Sequence, residues 1–124
     1  MLSALWGWLV AFFFTQLFEL PIYWRATRSL RVGFFASALT HPVVWFVFPL
    51  LNDGLDRLTA PLPDVLGAPP GYVAMVALAE TFAVLVEAAW LRANGVPRAF
   101  AWSLGANAFS ATAGLVLRAL TGIV

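Results

Sequence analysis

The sequence predicts an all-α integral membrane protein, a four-helix bundle made of two similar transmembrane hairpins. Three observations carry that prediction. Hydrophobic residues make up 62% of the 124 residues and charged residues only 10%, against about 25% charged in a soluble domain. Four stretches reach the roughly 20 mostly apolar residues that a bilayer-spanning helix needs. Two short Arg-bearing connections and one longer acidic connection join those stretches. A chain this small has too high a surface-to-volume ratio to hide so much apolar surface from water. The solvent that remains is lipid.

The chain reads as a single transmembrane domain. Hairpin one covers residues 1–52, with spans at 2–24 and 32–51. Hairpin two covers 71–124, with spans at 71–91 and 99–120. The first span, MLSALWGWLVAFFFTQLFEL onward, has no positive n-region and no small-residue cleavage site, so it reads as a retained span rather than a signal peptide. The loop 53–70 is acidic and rich in Pro and Gly. Its prolines at 61, 63, 69 and 70 break any continuous helix, which leaves room only for a short interfacial helix near 52–58 or a simple linker.

The charges predict an orientation. Arg25, Arg28 and Arg31 flank the first short connection, and Arg92 and Arg98 flank the second, around an Asn-Gly turn. The long loop carries Asp53, Asp56 and Asp64 against Arg57, and Arg118 falls at the same end. Basic residues gather on the cytoplasmic side of membrane helices. The short loops are therefore expected inside, with both termini and loop 53–70 on the opposite side. Trp6 and Trp8 fall near the outer face, and Tyr23, Trp24 and Trp90 near the inner one, where aromatic rings with polar tips collect. Trp45 and Trp102 read as packing residues. The composition resembles that of small bacterial membrane proteins, and an inner-membrane location is expected.

The two hairpins superpose in sequence. Glu19, Arg25, Arg31, Ser37 and His41 in the first match Glu87, Arg92, Arg98, Ser103 and Asn107 in the second, with spacings that differ by at most one residue. This predicts a parallel internal repeat, an arrangement that places sites between halves in many transporters. The repeat also exposes two departures. Glu80 lies near the centre of its span, where the first hairpin has Phe12. His41, followed by Pro42, stands where the second hairpin has Asn107.

Helical spacing sorts the polar groups onto single faces. Thr15, Gln16 and Glu19 share one side of the first helix, and Ser37 and His41 one side of the second. Glu80 and Glu87 share one side of the third. Ser103, Asn107, Ser110 and Gly114 form a stripe on the fourth. Such stripes face a bundle interior. A charge at mid-membrane costs several kcal/mol, so Glu80 is expected to be neutral and hydrogen-bonded to Asn107 or His41. Glu19 and Glu87 are shallower and are expected to pair with the inner arginines. Pro42 withholds a helical hydrogen bond from Ala38, a feature that often lines a cavity in membrane helices.

Glu80, His41, Glu19, Glu87 and Asn107 are the candidate residues for contacting a proton, a cation or a small polar ligand. The leading expectation is a small transport-type or accessory membrane protein, acting as a homo-oligomer or inside a larger membrane complex. Two alternatives stand beside it: a structural or assembly subunit whose polar groups only fix packing, and an intramembrane enzyme using a Glu–His acid/base pair. Three glutamates and one histidine in four short helices exceed what packing requires, whereas Ser37, Ser103 and Ser110 fit a packing role. The net charge of +1 points away from nucleic acid, which needs clustered basic surface. With no Cys there are no thiolate ligands or nucleophiles. Nucleotide-loop, zincin and nucleophile-elbow motifs are lacking, so no cofactor is expected. The spacing of Glu19, His41 and Glu80 is not diagnostic of a metal site, and none is assigned.

Overall fold

A computed structural model describes residues 2–65 and 67–121, with the side chain of Arg118 outside the description. The described chain is helical: α1 Leu2–Thr27, α2 Leu30–Phe46, a 3-10 turn Phe48–Leu51, α3 Asn52–Thr59, α4 Pro70–Ala93 and α5 Ala99–Thr121. Among the described residues, the only β-type pairing is an isolated bridge between Val65 and Ala68. Four helical stretches, Leu2–Thr27, Leu30–Thr59, Pro70–Ala93 and Ala99–Thr121, are long and apolar enough to cross a membrane. The 26 residues of α1 rise about 39 Å at 1.5 Å per residue, more than a hydrocarbon core of about 30 Å requires.

The helices form a ring in which α1 packs on α2, α2 on α4, α4 on α5, and α5 back on α1. The pairs α1/α4 and α2/α5 therefore stand across the bundle from each other. The first hairpin is tighter than the sequence suggests. Helix α1 runs through Arg25 to Thr27, so only Arg28 and Ser29 separate it from α2. Arg28 adopts φ 57°, the left-handed conformation that reverses a chain after a helix. Ser29 caps α2 by accepting from the Val32 N–H at 3.2 Å.

The other short connection ends α4 in a Schellman motif. Gly95, at φ 77°, donates its N–H to Arg92 O at 3.0 Å, and the Val96 N–H reaches Leu91 O at 3.0 Å. Leu91 and Val96 are both buried, which supplies the apolar contact that accompanies this motif. They belong to a cluster with Tyr23, Ala36, Ala99 and Ala106, with Trp102 packed against it.

Helix α2 stops at Phe46, before the expected end of the second span at 51. The cause is Pro49, which disfavours helical geometry at the residue before it and lacks an N–H. A 3-10 turn and then α3 continue the chain. Helix α3 packs against the start of α4, and Pro70 occupies the first turn of α4, where its missing N–H costs nothing. Proline also interrupts two long helices internally, Pro21 in α1 and Pro42 in α2.

The distribution of polarity is inverted. Large apolar side chains such as Leu2, Trp6, Phe13, Leu85, Phe100 and Leu115 face outward. The buried set contains Gln16, Glu19, Ser37, Thr40, Glu87, Ser103 and Asn107 beside small apolar residues. Close approach of helix backbones accompanies this. At Gly33 an added Cβ would sit 3.1 Å from Tyr23 Cβ, 3.2 Å from Leu20 Cδ1 and 3.4 Å from the Trp24 backbone N. Gly33→Val is expected to push α1 and α2 apart and cost about 1–3 kcal/mol, the usual range for overpacking. The change in detergent-titration midpoint measures it, and an unchanged midpoint would show that the contact yields freely.

Candidate functional site

Two carboxyl groups tie the helices together. Glu19 on α1 is 2% exposed. It accepts a hydrogen bond from Ser37 Oγ of α2 on one oxygen and from Ser110 Oγ of α5 on the other. Glu87 on α4 is 1% exposed. Its Oε1 accepts from Thr40 Oγ1 of α2 at 2.6 Å. Its Oε2 accepts from Asn107 Nδ2 of α5 at 2.7 Å and from the Tyr23 hydroxyl of α1. Glu87 thus receives a donor from each of the three other long helices. Asn107 Nδ2 also donates to Ser103 O of its own helix at 3.0 Å, and this local bond fixes the direction of its amide.

Neither group pairs with arginine. Among the described residues, the partners of Glu19 and Glu87 are hydroxyl and amide groups, which corrects the expected ion pairs. The reason is helical geometry. At 3.6 residues per turn, the six steps from Glu19 to Arg25 and the five from Glu87 to Arg92 lead to other faces. Arg25 and Arg92 are exposed while both carboxyl groups point inward.

A cavity of about 150 Å³ lies against this layer, lined by Glu19, Thr40, His41, Glu80, Glu87 and Asn107, among others. All five candidate residues from the sequence therefore border one space. The cavity has mixed polar and apolar walls, Val44, Ala83 and Ala111 among the latter, and room for several waters. Thr15 and Ser110 complete its polar lining.

The lining groups differ in what they have left to offer. Glu80 is half-buried and has no hydrogen-bond partner among the described residues. The expected bond from Glu80 to Asn107 or His41 is not made, because the Asn107 amide is committed to Glu87 and Ser103. His41 sits among aromatic rings, with centroids 5.2 Å from Phe12, 6.2 Å from Trp8 and 6.3 Å from Trp45. Its Nδ1 is buried without a hydrogen-bond partner, as is Trp8 Nε1. Among the described residues, no group of three or more His, Cys, Asp or Glu is disposed to hold a metal ion.

Two members of the layer escaped the sequence reading. Tyr23, expected near the inner face, is fully buried and bonded to Glu87. Thr40 was not singled out. Both carried a signal: Tyr23 lies four residues after Glu19, and Thr40 three after Ser37, so each continues a polar face. Trp90, the third inner aromatic, turns its Nε1–H to Val32 O at 2.9 Å and ties α4 to the start of α2. Gln16 Nε2 similarly donates to Phe34 O at 3.2 Å. Ser103 Oγ donates to Val84 O at 2.7 Å, a further tie between α5 and α4.

Compared with known protein families, with curated proteins and with solved structures, the chain matches none of them.

Proposed function

We propose that this is a small integral membrane protein of transport or accessory type, whose interior cavity takes a proton, a small cation or a small polar ligand at Glu80 and His41. The observation that carries this reading is the unequal use of the cavity's polar groups. Glu19, Glu87 and Asn107 are consumed in holding four helices together. Glu80 and His41 border the same space; Glu80 has no hydrogen-bond partner among the described residues, and His41 Nδ1 is buried without one. An ionisable group inside a membrane bundle is costly unless it serves a function or finds a partner. The outward-facing leucines and phenylalanines support the embedding in lipid, since apolar surface on this scale needs a membrane or a partner to cover it.

The short connections are proposed to face the cytoplasm of a bacterial inner membrane, on the strength of their five arginines. The repeat remains part of this proposal. Each hairpin brings one buried glutamate to the same polar layer, and each turns through residues with positive φ, at Arg28 in one and at Gly95 and Arg98 in the other. A second reading, a structural or assembly subunit, is favoured by the saturation of Glu19 and Glu87 alone.

The test uses a hydrophobic carbodiimide on the protein in lipid nanodiscs, with modified residues mapped by mass spectrometry. Glu80 is expected to react ahead of Glu19 and Glu87, and sodium or methylammonium ions are expected to slow its reaction. Glu80→Gln is expected to lose the modification while keeping the wild-type unfolding midpoint. An unreactive Glu80, a reaction indifferent to both cations, or a Glu80→Gln midpoint as low as that of Glu87→Gln would overturn the ligand reading in favour of the structural one.

A further inference from the structure

Beside the polar cavity lies a second, larger space of about 420 Å³ between α4 and α5. Its walls include Thr81, Val84 and Leu85 of α4 and Phe100, Leu104 and Ala108 of α5. They are almost wholly apolar. The Thr81 hydroxyl donates to Ala77 O of its own helix at 2.7 Å, so it offers the groove an acceptor oxygen but no proton. Leu85, Phe100 and Leu104 are each about half exposed, at 55%, 54% and 48%, which leaves the groove accessible from the bundle's outer surface.

The two spaces share a wall. Glu80, Asn107 and Ala111 line both. Glu80 thus stands between an apolar groove open to the outside and an acid-lined interior. From Ala108 to Phe100 the groove follows two turns of α5, a rise of about 12 Å. A small soluble cation has no use for such an apolar flank.

We infer that groove and cavity form one site for an amphiphile with a primary-amine head and an alkyl or prenyl tail, entering sideways from the bilayer. The inference rests on the ligand reading of Glu80 and names its ligand class. The head lies in the cavity at Glu80. There an ammonium group meets a carboxyl group without a competing partner, with Glu19 and Glu87 behind it. An ammonium has three donors and no acceptor, which suits walls that carry carboxyl and hydroxyl oxygens. The tail lies along Leu85, Leu104 and Phe100, where it covers apolar wall. A carboxylic acid of the same length lacks the three ammonium donors and is the natural control. Lateral entry also avoids moving the amine through the packed Tyr23–Glu87 layer.

The experiment uses the full chain in nanodiscs and a diazirine-bearing dodecylamine, with the corresponding fatty acid as comparison. The amine is expected to crosslink within the Phe100 to Ala108 stretch, with labelling competed by plain dodecylamine. The acid probe and the Glu80→Gln variant are each expected to lower that labelling at least about tenfold, a modest share of what losing one partner of a buried charged pair removes. Ala108→Trp fills the groove from its exposed side and is expected to abolish amine labelling. Carbodiimide reaction at Glu80, and its slowing by methylammonium, should survive in that variant. Equal labelling by amine and acid, or labelling spread over the exposed leucines of α1, would overturn the amphiphile while leaving small-cation binding at Glu80 standing. Loss of cation protection in the unmodified chain would instead remove the reading beneath it.

Discussion

Glu87→Leu is expected to be the most damaging single substitution in the protein. It removes the common acceptor of Tyr23, Thr40 and Asn107, breaks the links among four helices and leaves the buried Tyr23 hydroxyl without its acceptor, while Thr40 and Asn107 fall back on Ser37 O and Ser103 O of their own helices. A buried donor without a partner costs about 1–3 kcal/mol in water-soluble proteins, whereas interhelical hydrogen bonds in membranes average nearer 0.6 kcal/mol. A loss of about 2–4 kcal/mol follows. Titration with a denaturing detergent measures it, with Leu85→Ala on the outward face as reference. Glu87→Gln should cost less, because one amide oxygen still accepts, although its NH2 group must face a donor. Tyr23→Phe isolates one of the three bonds. If Glu87→Leu matched the Leu85→Ala reference, the polar layer would not be what holds these helices in register.

Gly71→Ala is the second large effect, and its cause is steric rather than polar. An added Cβ at Gly71 would stand 2.6 Å from the Asp56 backbone N and 2.7 Å from its Cα, and would overlap the Asp56 side chain as well. Backbone atoms cannot swing aside as a side chain does, so α3 must lift from α4. The bond between Asn52 Nδ2 and Asp56 Oδ2, at 2.9 Å, lies within α3 and should persist as the helix moves. The expected result is faster proteolysis across residues 53–70 with little change in the unfolding midpoint of the four long helices. Equal cleavage rates in Gly71→Ala and wild type would show that α3 is not fixed by this contact. Gly54→Ala, which meets nothing within 4 Å, is the matched control.

These two effects mark where sequence reading stops. Glu87 is legible as an inward polar residue, because it shares a face with Glu80 and its helix is otherwise apolar. Its partners are not legible. Tyr23 and Thr40 lie 64 and 47 residues away, and no spacing rule connects residues on helices whose rotation about their axes is unknown. Gly71 is harder still. The stretch Pro69-Pro70-Gly71 reads as loop chemistry, and only the packing of α3 on α4 turns the glycine into a place where a side chain does not fit. The expected arginine partners of Glu19 and Glu87 failed for a related reason. Depth along a helix follows from the rise per residue, but an ion pair also requires a shared face.

What the sequence determined by itself is the set of four long helices and the inward stripe on each, because apolar length and polar periodicity are local properties of the chain. It also singled out Glu80 and His41 as the two departures from the expected repeat. The tertiary structure decided which polar groups are spent and which are free. Glu19, Glu87 and Asn107 became cross-links because three helices bring hydroxyl, phenol and amide groups to them. Glu80 and the Nδ1 of His41 kept their capacity because the helices around the cavity present no donor or acceptor to either. Hydrogen-bond satisfaction is a property of several helices at once, so it appears only when they are packed together.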